Sequence, residues 1–536
     1  MRIAFIYPAT EFDCLHHAVS LPMGLLYLTA MAEQLSGVEV DIFDVRYGPA
    51  APSSEDLPRY DLIGFTAMSM QVITALKIAN DLRAKGCRVP IVFGGPHASV
   101  ATDHLKEQDC IDAILVGEGE LTFLEYLKYL QGQPHKLERI WLRDADRTWR
   151  HFEGANYLEN LDDLPLPARD KYGDVVRDTS FIDVTSTRGC PFDCTYCQPT
   201  KRAIFGNRVR RRTVPHITAE IRDAIDRFGI RSFAITDDTF TYNKRFVLDF
   251  CEQAKAFGLQ WSCQSRSDVD RETLVAMRDS GCDLVNVGVE SGSQRMLDLM
   301  NKHNKVETNE AFIQMCNEIG IRTWCNMMVG YPGETRADMD MSLDFVMRAR
   351  PTISIVSQVT PFPGTHVWTS HKDELLATGW DDVARHVRRA KFRSMEPLQP
   401  AIDHYMTLIT RLEGGRFGLE MVGNSKLARF LGRRSVRIYK TLAKRMKWFD
   451  EQLAAALNAA RAGRVDEGIN QLKRLMTLGY KEKDLFGHLA WLYFSTGRPE
   501  EAEPLYRQLL EIDPGNEEVL RQIEACQAAK KSAVPA

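Results

Sequence analysis

Alternating strand and helix patterns between residues 179 and 370 are the feature that most constrains the fold of this chain. Six short runs are predicted as strands: Phe181–Ser186, Ser232–Thr236, Gln260–Gln264, Leu284–Val289, Thr323–Val329 and Ile353–Thr360. Helical patterns lie between these runs, at residues 216–228, 244–257, 271–280, 294–301, 308–319 and 335–349. Strands joined by helical crossovers run parallel, and ligands bind at their carboxyl ends. This segment is therefore predicted to be an α/β domain with its site at that edge.

A loop with three closely spaced cysteines follows the first of these strands. Cys190, Cys194 and Cys197 have the spacing C-x3-C-x2-C, and thiolates are ligands for iron–sulfur clusters or zinc. A structural zinc site needs a fourth ligand and usually has paired C-x2-C motifs, whereas the next cysteines, Cys251 and Cys263, are twelve apart. The spacing favours three corners of a four-iron cluster, with the fourth iron open, over a zinc loop or three unrelated thiols.

This loop resembles the cluster loop of the radical S-adenosylmethionine (SAM) superfamily, C-x3-C-x-φ-C, in which Tyr196 matches the aromatic φ. The resemblance implies a partial (β/α)6 barrel and a [4Fe-4S] cluster on Cys190, Cys194 and Cys197. It also implies that the open iron binds SAM and that one electron cleaves SAM to a 5′-deoxyadenosyl radical. The electron would come from a donor such as flavodoxin or ferredoxin.

Residues at the carboxyl ends of the predicted strands form the candidate SAM site. Taken singly, such residues are most often helix caps or turns, but these follow successive strands in register. The resemblance implies that Asp237 and Asp238 meet the SAM amino group, that Glu290 and Ser291 meet its ribose or carboxylate, and that Gly330 approaches the adenine. The full candidate set is Tyr196, Asp237, Asp238, Gln264, Arg266, Glu290, Ser291, Gly330 and Pro361.

The first 135 residues show a second alternation of strand and helix patterns. Strands are predicted at Ile3–Tyr7, Val38–Phe43, Leu62–Ala67, Ile91–Phe93 and Ala113–Val116, and helices at Met23–Gln34, Val72–Ala84, Ala101–Lys106 and Leu121–Leu130. Short, continuously apolar strands with helices between them indicate a doubly wound parallel sheet. No GxGxxG follows the first strand, so a dinucleotide site is not expected.

Placed before the cysteine loop, this segment resembles the cobalamin-binding domain of cobalamin-dependent radical SAM proteins. Thr66-x-Met68 and the pair Gly94-Gly95 match elements that line the cobalamin tail, the first approximately, and Gly117 ends the last strand. The D-x-H-x-x-G motif is absent, which implies cobalt without a protein imidazole ligand, and His16, His17 and His97 are read as loop or core residues. The alternative is that this domain binds no cofactor or has a different role.

A connector at residues 136–178 joins the two domains. Trp141–Phe152 alternates polar and apolar residues and predicts a small hairpin, whereas Leu161–Asp170 is rich in Pro and Asp and predicts an extended linker. A basic run follows the cysteine loop and consists of Arg208, Arg210, Arg211 and Arg212. These arginines either neutralise an anionic ligand or form a solvated face.

The carboxyl-terminal region is predicted to be all helical. A helical extension at residues 371–447 carries a basic stretch that faces an acidic partner, a membrane surface or only solvent: Lys426, Arg429, Arg433, Arg434, Arg437, Lys440, Lys444, Arg445 and Lys447. Gly463-Arg464 and Gly497-Arg498 lie 34 residues apart, the period of tetratricopeptide repeats. Residues 448–536 are therefore predicted to form tetratricopeptide-like repeats that bind a protein, cap the barrel or dimerise. On that pattern fall Phe486, Leu489, Ala490, Tyr493, Ala502 and Tyr506.

Composition describes an ordinary soluble protein of several domains. The chain has 536 residues, 44% of them hydrophobic, and a net charge of −4, which gives no reason to expect nucleic-acid binding. No run of about 18 apolar residues occurs, and Met1–Pro8 reads as a strand rather than a signal peptide. Twelve cysteines, three of them clustered, suit a reducing cytoplasm.

These features together predict a radical SAM enzyme that uses methylcobalamin to methylate an unactivated carbon of a small-molecule or lipid-like substrate. One alternative is oxygen-independent radical cyclisation or oxidation of a tetrapyrrole-like or other substrate on the same scaffold. Another is a non-catalytic iron–sulfur scaffold whose repeats recruit proteins. Methylthio transfer is not expected, because Cys14, Cys87 and Cys110 in the first domain are scattered.

Overall fold

The computed structural model describes most of the chain in twelve stretches. These are residues 1–8, 21–44, 51–53, 55–155, 157–197, 200–206, 208–376, 391–406, 408–409, 452–477, 483–512 and 517–532. The predictions for His16 and His17 and for the basic stretch at 426–447 fall outside the described residues.

The first domain is built on a seven-stranded sheet with the order β2-β1-β3-β4-β5-β6-β7. Its strands are β1 (Arg2–Tyr7), β2 (Glu39–Asp44), β3 (Leu62–Thr66), β4 (Ile91–Gly94), β5 (Ala113–Leu115), β6 (Ile140–Arg143) and β7 (Trp149–Phe152). The first five are parallel, in the order of a flavodoxin-like doubly wound fold. β6 and β7 are antiparallel, so the hairpin predicted in the connector extends this sheet beyond residue 135.

Helices cover both faces of this sheet because their apolar residues recur at helical spacing. They are α1 (Met23–Ala32), α2 (Val72–Ala84), α3 (Pro96–Val100), α4 (Thr102–Lys106) and α5 (Gly119–Leu130). α2, for example, buries Val72, Ala75, Leu76, Ala79 and Leu82. This stripe packs on β3 and β4 residues in one hydrophobic cluster.

The second domain contains six parallel strands in sequential order, the connectivity of the predicted partial barrel. The strands are β8 (Phe181–Val184), β11 (Ser232–Ile235), β12 (Gln260–Ser265), β13 (Cys282–Glu290), β14 (Arg322–Val329) and β15 (Ile353–Gln358). Between β8 and β11, the short strands β9 (Thr187–Arg188) and β10 (Arg210–Arg211) pair antiparallel. All six strands predicted from the sequence are present.

Side-chain caps begin several helices of this domain. Thr213, Asn243, Asp270, Ser293 and Thr335 each accept a hydrogen bond from a backbone N–H of the first turn. The helices are α6 (Gly173–Thr179), α7 (Thr200–Phe205), α8 (Val214–Phe228), α9 (Lys244–Ala254), α10 (Arg271–Asp279), α11 (Gln294–Leu299), α12 (Val306–Ile319), α13 (Arg336–Ala349) and α14 (His366–Ser370).

The carboxyl-terminal helices pack against the first domain. They are α15 (Val465–Thr477), α16 (Lys483–Ser495), α17 (Pro499–Ile512) and α18 (Glu517–Ser532), and residues 452–461 are also helical. α15 contacts α2, and Leu472 and Leu485 join the same hydrophobic cluster as Ile78 and Leu82. Within the described residues, no helix is both long and apolar enough to cross a membrane.

Candidate cofactor and substrate site

A cavity of about 470 Å³ lies between the carboxyl ends of the two parallel sheets. The five residues predicted to bind cobalamin, Thr66, Met68, Gly94, Gly95 and Gly117, all line it. Asp183, Arg188, Thr236 and Gln264 line the opposite side. β1 and β3 end here, where the strand order of the first sheet reverses, and open α/β sheets bind ligands at that point.

Two glycines allow loops to approach closely at this cavity. Gly95 has φ +88°, and a Cβ there would lie 2.5 Å from Thr66 Oγ1. Gly117 has φ +87°, and a Cβ would lie 2.6 Å from the guanidinium carbon of Arg139. A side chain at either position would be in a strained left-handed conformation. At Gly95 it would also meet Thr66 and the Ala67 backbone, whereas at Gly117 it would meet only the flexible end of Arg139, so the shape of the cavity depends more on Gly95.

The three loop cysteines differ from the other described cysteines in exposure. Cys190, Cys194 and Cys197 are partly exposed, whereas the eight other described cysteines are buried. No three or more His, Cys, Asp or Glu side chains in the described stretches are close enough together to hold a single metal ion. Three accessible thiols on one short loop are a donor set that fits an iron–sulfur cluster.

Contacts from two other segments hold the cysteine loop in place. The Arg266 guanidinium, at the end of β12, lies 3.9 Å from the centre of the Phe192 ring. The same guanidinium donates hydrogen bonds to the carbonyls of Lys302 (3.1 Å) and His303 (2.7 Å). Thr195 N donates to Met300 O at 2.9 Å. The loop is therefore fixed against the 300–303 segment, with Arg266 between them.

A buried ion pair lies beside the loop. Lys302 Nζ is 2.9 Å from Glu290 Oε1, and both side chains are 10% exposed. Burial raises the pKa of the Cys194 thiol, while Lys302 and Arg266 oppose that shift. Burial also raises the pKa of Tyr196 well above its ordinary value, with the Glu290 charge adding to the effect. Two cations thus face the thiol that is expected to bind iron as a thiolate.

The other predicted SAM residues fall into two groups. Asp237 accepts hydrogen bonds from Ser186 N (2.7 Å) and Thr187 N (3.0 Å), and the Ser291 hydroxyl lies 3.2 Å from Ser342 Oγ and accepts from Ser293 N. The side chains of Asp237 and Ser291 thus make hydrogen-bond contacts within the protein. Gln264 is exposed toward the cavity. Asp238 is half-buried after β11, and Pro361 is buried after β15.

Glu334 is a functional candidate that was not predicted from the sequence, although it lies four residues after the predicted adenine contact Gly330. Its side chain is buried; Oε2 accepts a hydrogen bond from Gly330 N at 2.5 Å, and Oε1 has no hydrogen-bond partner among the described residues. Burial raises the pKa of Glu334 to about 7. A carboxyl group at the predicted adenine loop therefore takes up a proton near neutral pH.

The basic run is neither fully solvated nor available as a whole to an anion. Arg210 pairs with Glu118 (Nη1 to Oε2, 3.0 Å) and Arg212 pairs with Glu220, both deeply buried. Arg208 is exposed and pairs with Glu159. Arg211, between the two buried arginines, is exposed, because a strand such as β10 turns successive side chains to opposite faces.

Comparison with known proteins identifies both domains. The model of the radical SAM superfamily matches residues 184–346, and that of the B12-binding domain matches residues 18–127. The chain thus combines a segment similar to the radical SAM superfamily with a segment similar to the B12-binding domain. Its cofactors are a [4Fe-4S] cluster, SAM and cobalamin, and the loop thiols and the glycine-lined cavity fit them.

Relatives of the enzyme include proteins with different named activities. An uncharacterized methyltransferase of Pyrococcus horikoshii is 28% identical over 385 residues, covering 69% of this chain and 82% of the relative. An anaerobic magnesium-protoporphyrin IX monomethyl ester cyclase of Cereibacter sphaeroides is 25% identical over 414 residues, covering 70% and 64%. The solved structure of the cobalamin-dependent SAM radical enzyme OxsB with aqua-cobalamin matches with TM-score 0.64 and 15% identity, over 98% of this chain and 84% of that chain. At this identity the likeness shows the fold.

Replacing Arg266 with lysine is expected to lower the iron content of the reconstituted enzyme roughly two- to tenfold. Lysine cannot stack on Phe192 and donate to two carbonyls at once, as the planar guanidinium does. Iron and sulfide per chain, measured after gel filtration, report the effect. The exposed Arg271 is the control, since R271K should retain wild-type iron; equal iron in R266K and wild type would contradict the assigned role.

Replacing Glu334 with glutamine is expected to remove part of the pH dependence of stability. The folded-state pKa of about 7 lies above 4.5, the ordinary value for a glutamate, so the stability that the neutral acid contributes is present below about pH 4.5 and is lost as the pH rises through 7. Glutamine keeps an acceptor for Gly330 N–H and cannot ionise. Between about pH 5 and 8 the stability of E334Q should rise relative to wild type by roughly 2–3 kcal/mol.

Urea unfolding midpoints of E334Q and wild type across that pH range provide the measurement. The exposed Glu318 supplies the control, because E318Q should keep the wild-type pH profile. Parallel profiles of E334Q and wild type would show that Glu334 is already ionised at pH 5.

Proposed function

We propose that this enzyme transfers a methyl group to an unactivated carbon of a small-molecule or lipid-like substrate. The observation that carries the proposal is the cavity between the domains, which has the residues predicted to bind cobalamin on one side and strand-end residues of the radical SAM domain on the other. A substrate in this cavity would lie between the two cofactors.

Chain connectivity supports a shared site. Arg188 lines the cavity and is two residues before Cys190. The wall of the cavity therefore continues directly into the cluster loop. When bound, the cluster with SAM supplies a 5′-deoxyadenosyl radical that removes a hydrogen atom, and cobalamin supplies the methyl group.

The residues of the protein would position the reactants and exclude water. Apolar residues and glycines make up much of the cavity wall, including Phe5, Leu21, Phe65, Val92 and Phe123. A reactive carbon radical survives only where water and other side chains are kept away, and correct alignment supplies much of the rate. For SAM itself, we propose contacts from Asp238, Gln264, Glu290, Gly330 and Pro361 near the cluster of Cys190, Cys194 and Cys197.

The names of the relatives support methyl transfer, since the Pyrococcus horikoshii protein is named a methyltransferase. The cyclase relative keeps oxidative cyclisation as the second candidate. The two reactions differ in their SAM products, because methylation of cobalamin by SAM releases S-adenosylhomocysteine.

The experiment supplies the anaerobically reconstituted enzyme with hydroxocobalamin, SAM and a low-potential reductant, and quantifies both SAM products by mass spectrometry. Methyl transfer predicts S-adenosylhomocysteine alongside 5′-deoxyadenosine. 5′-Deoxyadenosine without S-adenosylhomocysteine would overturn methyl transfer in favour of cyclisation. Absence of both would favour a non-catalytic scaffold.

We further propose that the carboxyl-terminal helices are tetratricopeptide-like repeats. In support, the six pattern residues Phe486, Leu489, Ala490, Tyr493, Ala502 and Tyr506 are all buried. Gly463 and Gly497 both have positive φ at equivalent turns. A Cβ at Gly468 would lie 2.7 Å from Ala456 O, which explains glycine where alanine is usual. These helices are the proposed surface for a protein partner.

Two further proposals concern the surroundings of the enzyme. The radical reaction needs one electron, which we propose comes from a flavodoxin- or ferredoxin-like donor. We also propose a reducing cytoplasm as the location, which is supported by twelve cysteines of which three are clustered on one loop.

A further inference from the structure

Arg188 occupies the junction of the two domains. It lies on β9, two residues before Cys190, and its side chain is 6% exposed. Arg188 lines the cavity, and its guanidinium packs over the rings of Tyr27 (5.8 Å) and Phe205 (5.4 Å). A buried, charged residue is therefore part of the cavity wall.

The two Nη atoms of this guanidinium differ in their hydrogen bonding. Nη2 donates to Glu120 Oε1 at 2.5 Å. Nη1 lies 3.7 Å from Glu118 Oε2, beyond hydrogen-bond distance, and has no hydrogen-bond partner among the described residues. Buried polar groups in proteins are nearly always hydrogen-bonded, so a ligand in the cavity is the natural acceptor.

Arg210 makes a close internal comparison, because it is the cross-strand partner of Arg188 in the β9–β10 pair. Its guanidinium pairs with Glu118 through both Nη atoms and also donates to Leu158 O (2.7 Å) and Phe205 O (3.1 Å). Both arginines tie the radical SAM domain to the Gly117–Glu120 loop of the B12-binding domain. Arg188 differs because its Nη1 has no hydrogen-bond partner among the described residues.

Charge balance indicates the kind of acceptor. Two guanidiniums and two carboxylates, those of Arg188, Arg210, Glu118 and Glu120, form a buried group with no net charge. An anionic ligand would add an unbalanced buried negative charge to this group, which is energetically costly. A neutral carbonyl oxygen fits better.

We propose that Nη1 of Arg188 donates a hydrogen bond to the carbonyl oxygen of an amide side chain of the corrin ring. This inference rests on the proposed placement of cobalamin in the cavity. Cobalamin offers two kinds of acceptor, the neutral amide carbonyls around the ring and the anionic phosphate of its nucleotide tail. Arg188 is thus a cofactor-positioning residue that also joins the cobalamin site to the cluster loop.

The test compares equilibrium binding of hydroxocobalamin and of aquocobinamide, which keeps the corrin amides but lacks the nucleotide phosphate. The main variant is R188M/E120Q, which removes the donor and leaves no unpaired buried charge. R188K and R210K form a matched pair of conservative changes that keeps the test decisive if the double variant does not fold. Binding is followed by visible absorption, with no turnover required.

R188M/E120Q is expected to bind both corrinoids roughly tenfold to a hundredfold more weakly than wild type, the effect of one hydrogen bond from a charged donor. R188K should weaken binding of both and R210K should change neither by more than about threefold. Equal losses in R188K and R210K, or no loss in either arginine 188 variant, would overturn the proposal. A loss confined to hydroxocobalamin would overturn the amide assignment in favour of the phosphate. Failure of the wild-type enzyme to bind either corrinoid is a different result, which removes the cobalamin placement itself.

Discussion

Replacing Cys194 with alanine is expected to abolish formation of 5′-deoxyadenosine. Two thiolates cannot hold a four-iron cluster whose only protein ligands are three cysteines on one loop. Without the cluster there is no one-electron reductant at SAM. Mass spectrometry after incubation with SAM and a low-potential reductant should find the product at the no-enzyme background, and iron per chain should fall with it.

A buried cysteine of the same domain provides the control. Cys263 on β12 is 3% exposed, so C263A costs packing but removes no predicted ligand, and it should retain iron and SAM cleavage. Hydroxocobalamin binding should persist in C194A, because the residues predicted to bind cobalamin lie on the other sheet. SAM cleavage by C194A at a substantial fraction of the wild-type rate would contradict the assigned ligand set.

Replacing Gly95 with alanine is expected to weaken cobalamin binding at least about tenfold while leaving the iron content unchanged. A residue with a Cβ at positive φ costs roughly 1–2 kcal/mol. Here the Cβ would also lie 2.5 Å from Thr66 Oγ1, so the loops that end β3 and β4 must separate. Both loops line the cavity, and their displacement distorts the surface on which the cofactor lies. Equilibrium titration with hydroxocobalamin measures the change.

The variant G86A is a control that tests the effect of backbone strain without a steric clash. Gly86 lies in the same domain with φ +85°, and a Cβ there meets no atom within 4 Å. G86A should therefore lose only the stability that backbone strain costs and should bind cobalamin as wild type does. Equal binding by G95A and G86A would show that the approach of Gly95 to Thr66 does not shape the site.

The strands could be predicted because each is a short apolar run bounded by glycine, proline or polar residues. Once five strands are parallel, their carboxyl ends must share one edge, and this brings Thr66, Gly94 and Gly117 together without any knowledge of side-chain contacts. The edge hairpin was predicted as a hairpin but not as part of the sheet. Its two strands alternate apolar and polar residues, and such a pattern does not specify which sheet it will join.

Side-chain partners far apart in sequence could not be predicted. Asp237 and Ser291 follow strands as SAM-binding residues would, yet each contacts a serine about fifty residues away, Ser186 and Ser342. The pairing of Arg188 with Glu120 spans 68 residues and joins two domains. The basic run shows arginines but not which face of β10 they occupy, and the packing of α15 on α2 depends on residues 381 or more positions apart.

The most direct test of the two-cofactor site is the visible spectrum and metal content of anaerobically purified, reconstituted protein offered hydroxocobalamin. About four irons and about one cobalt per chain are expected, since three loop thiols hold one cluster and one cavity holds one corrinoid. About four irons without cobalt would contradict the methylcobalamin account and leave a radical SAM enzyme whose first domain holds something else.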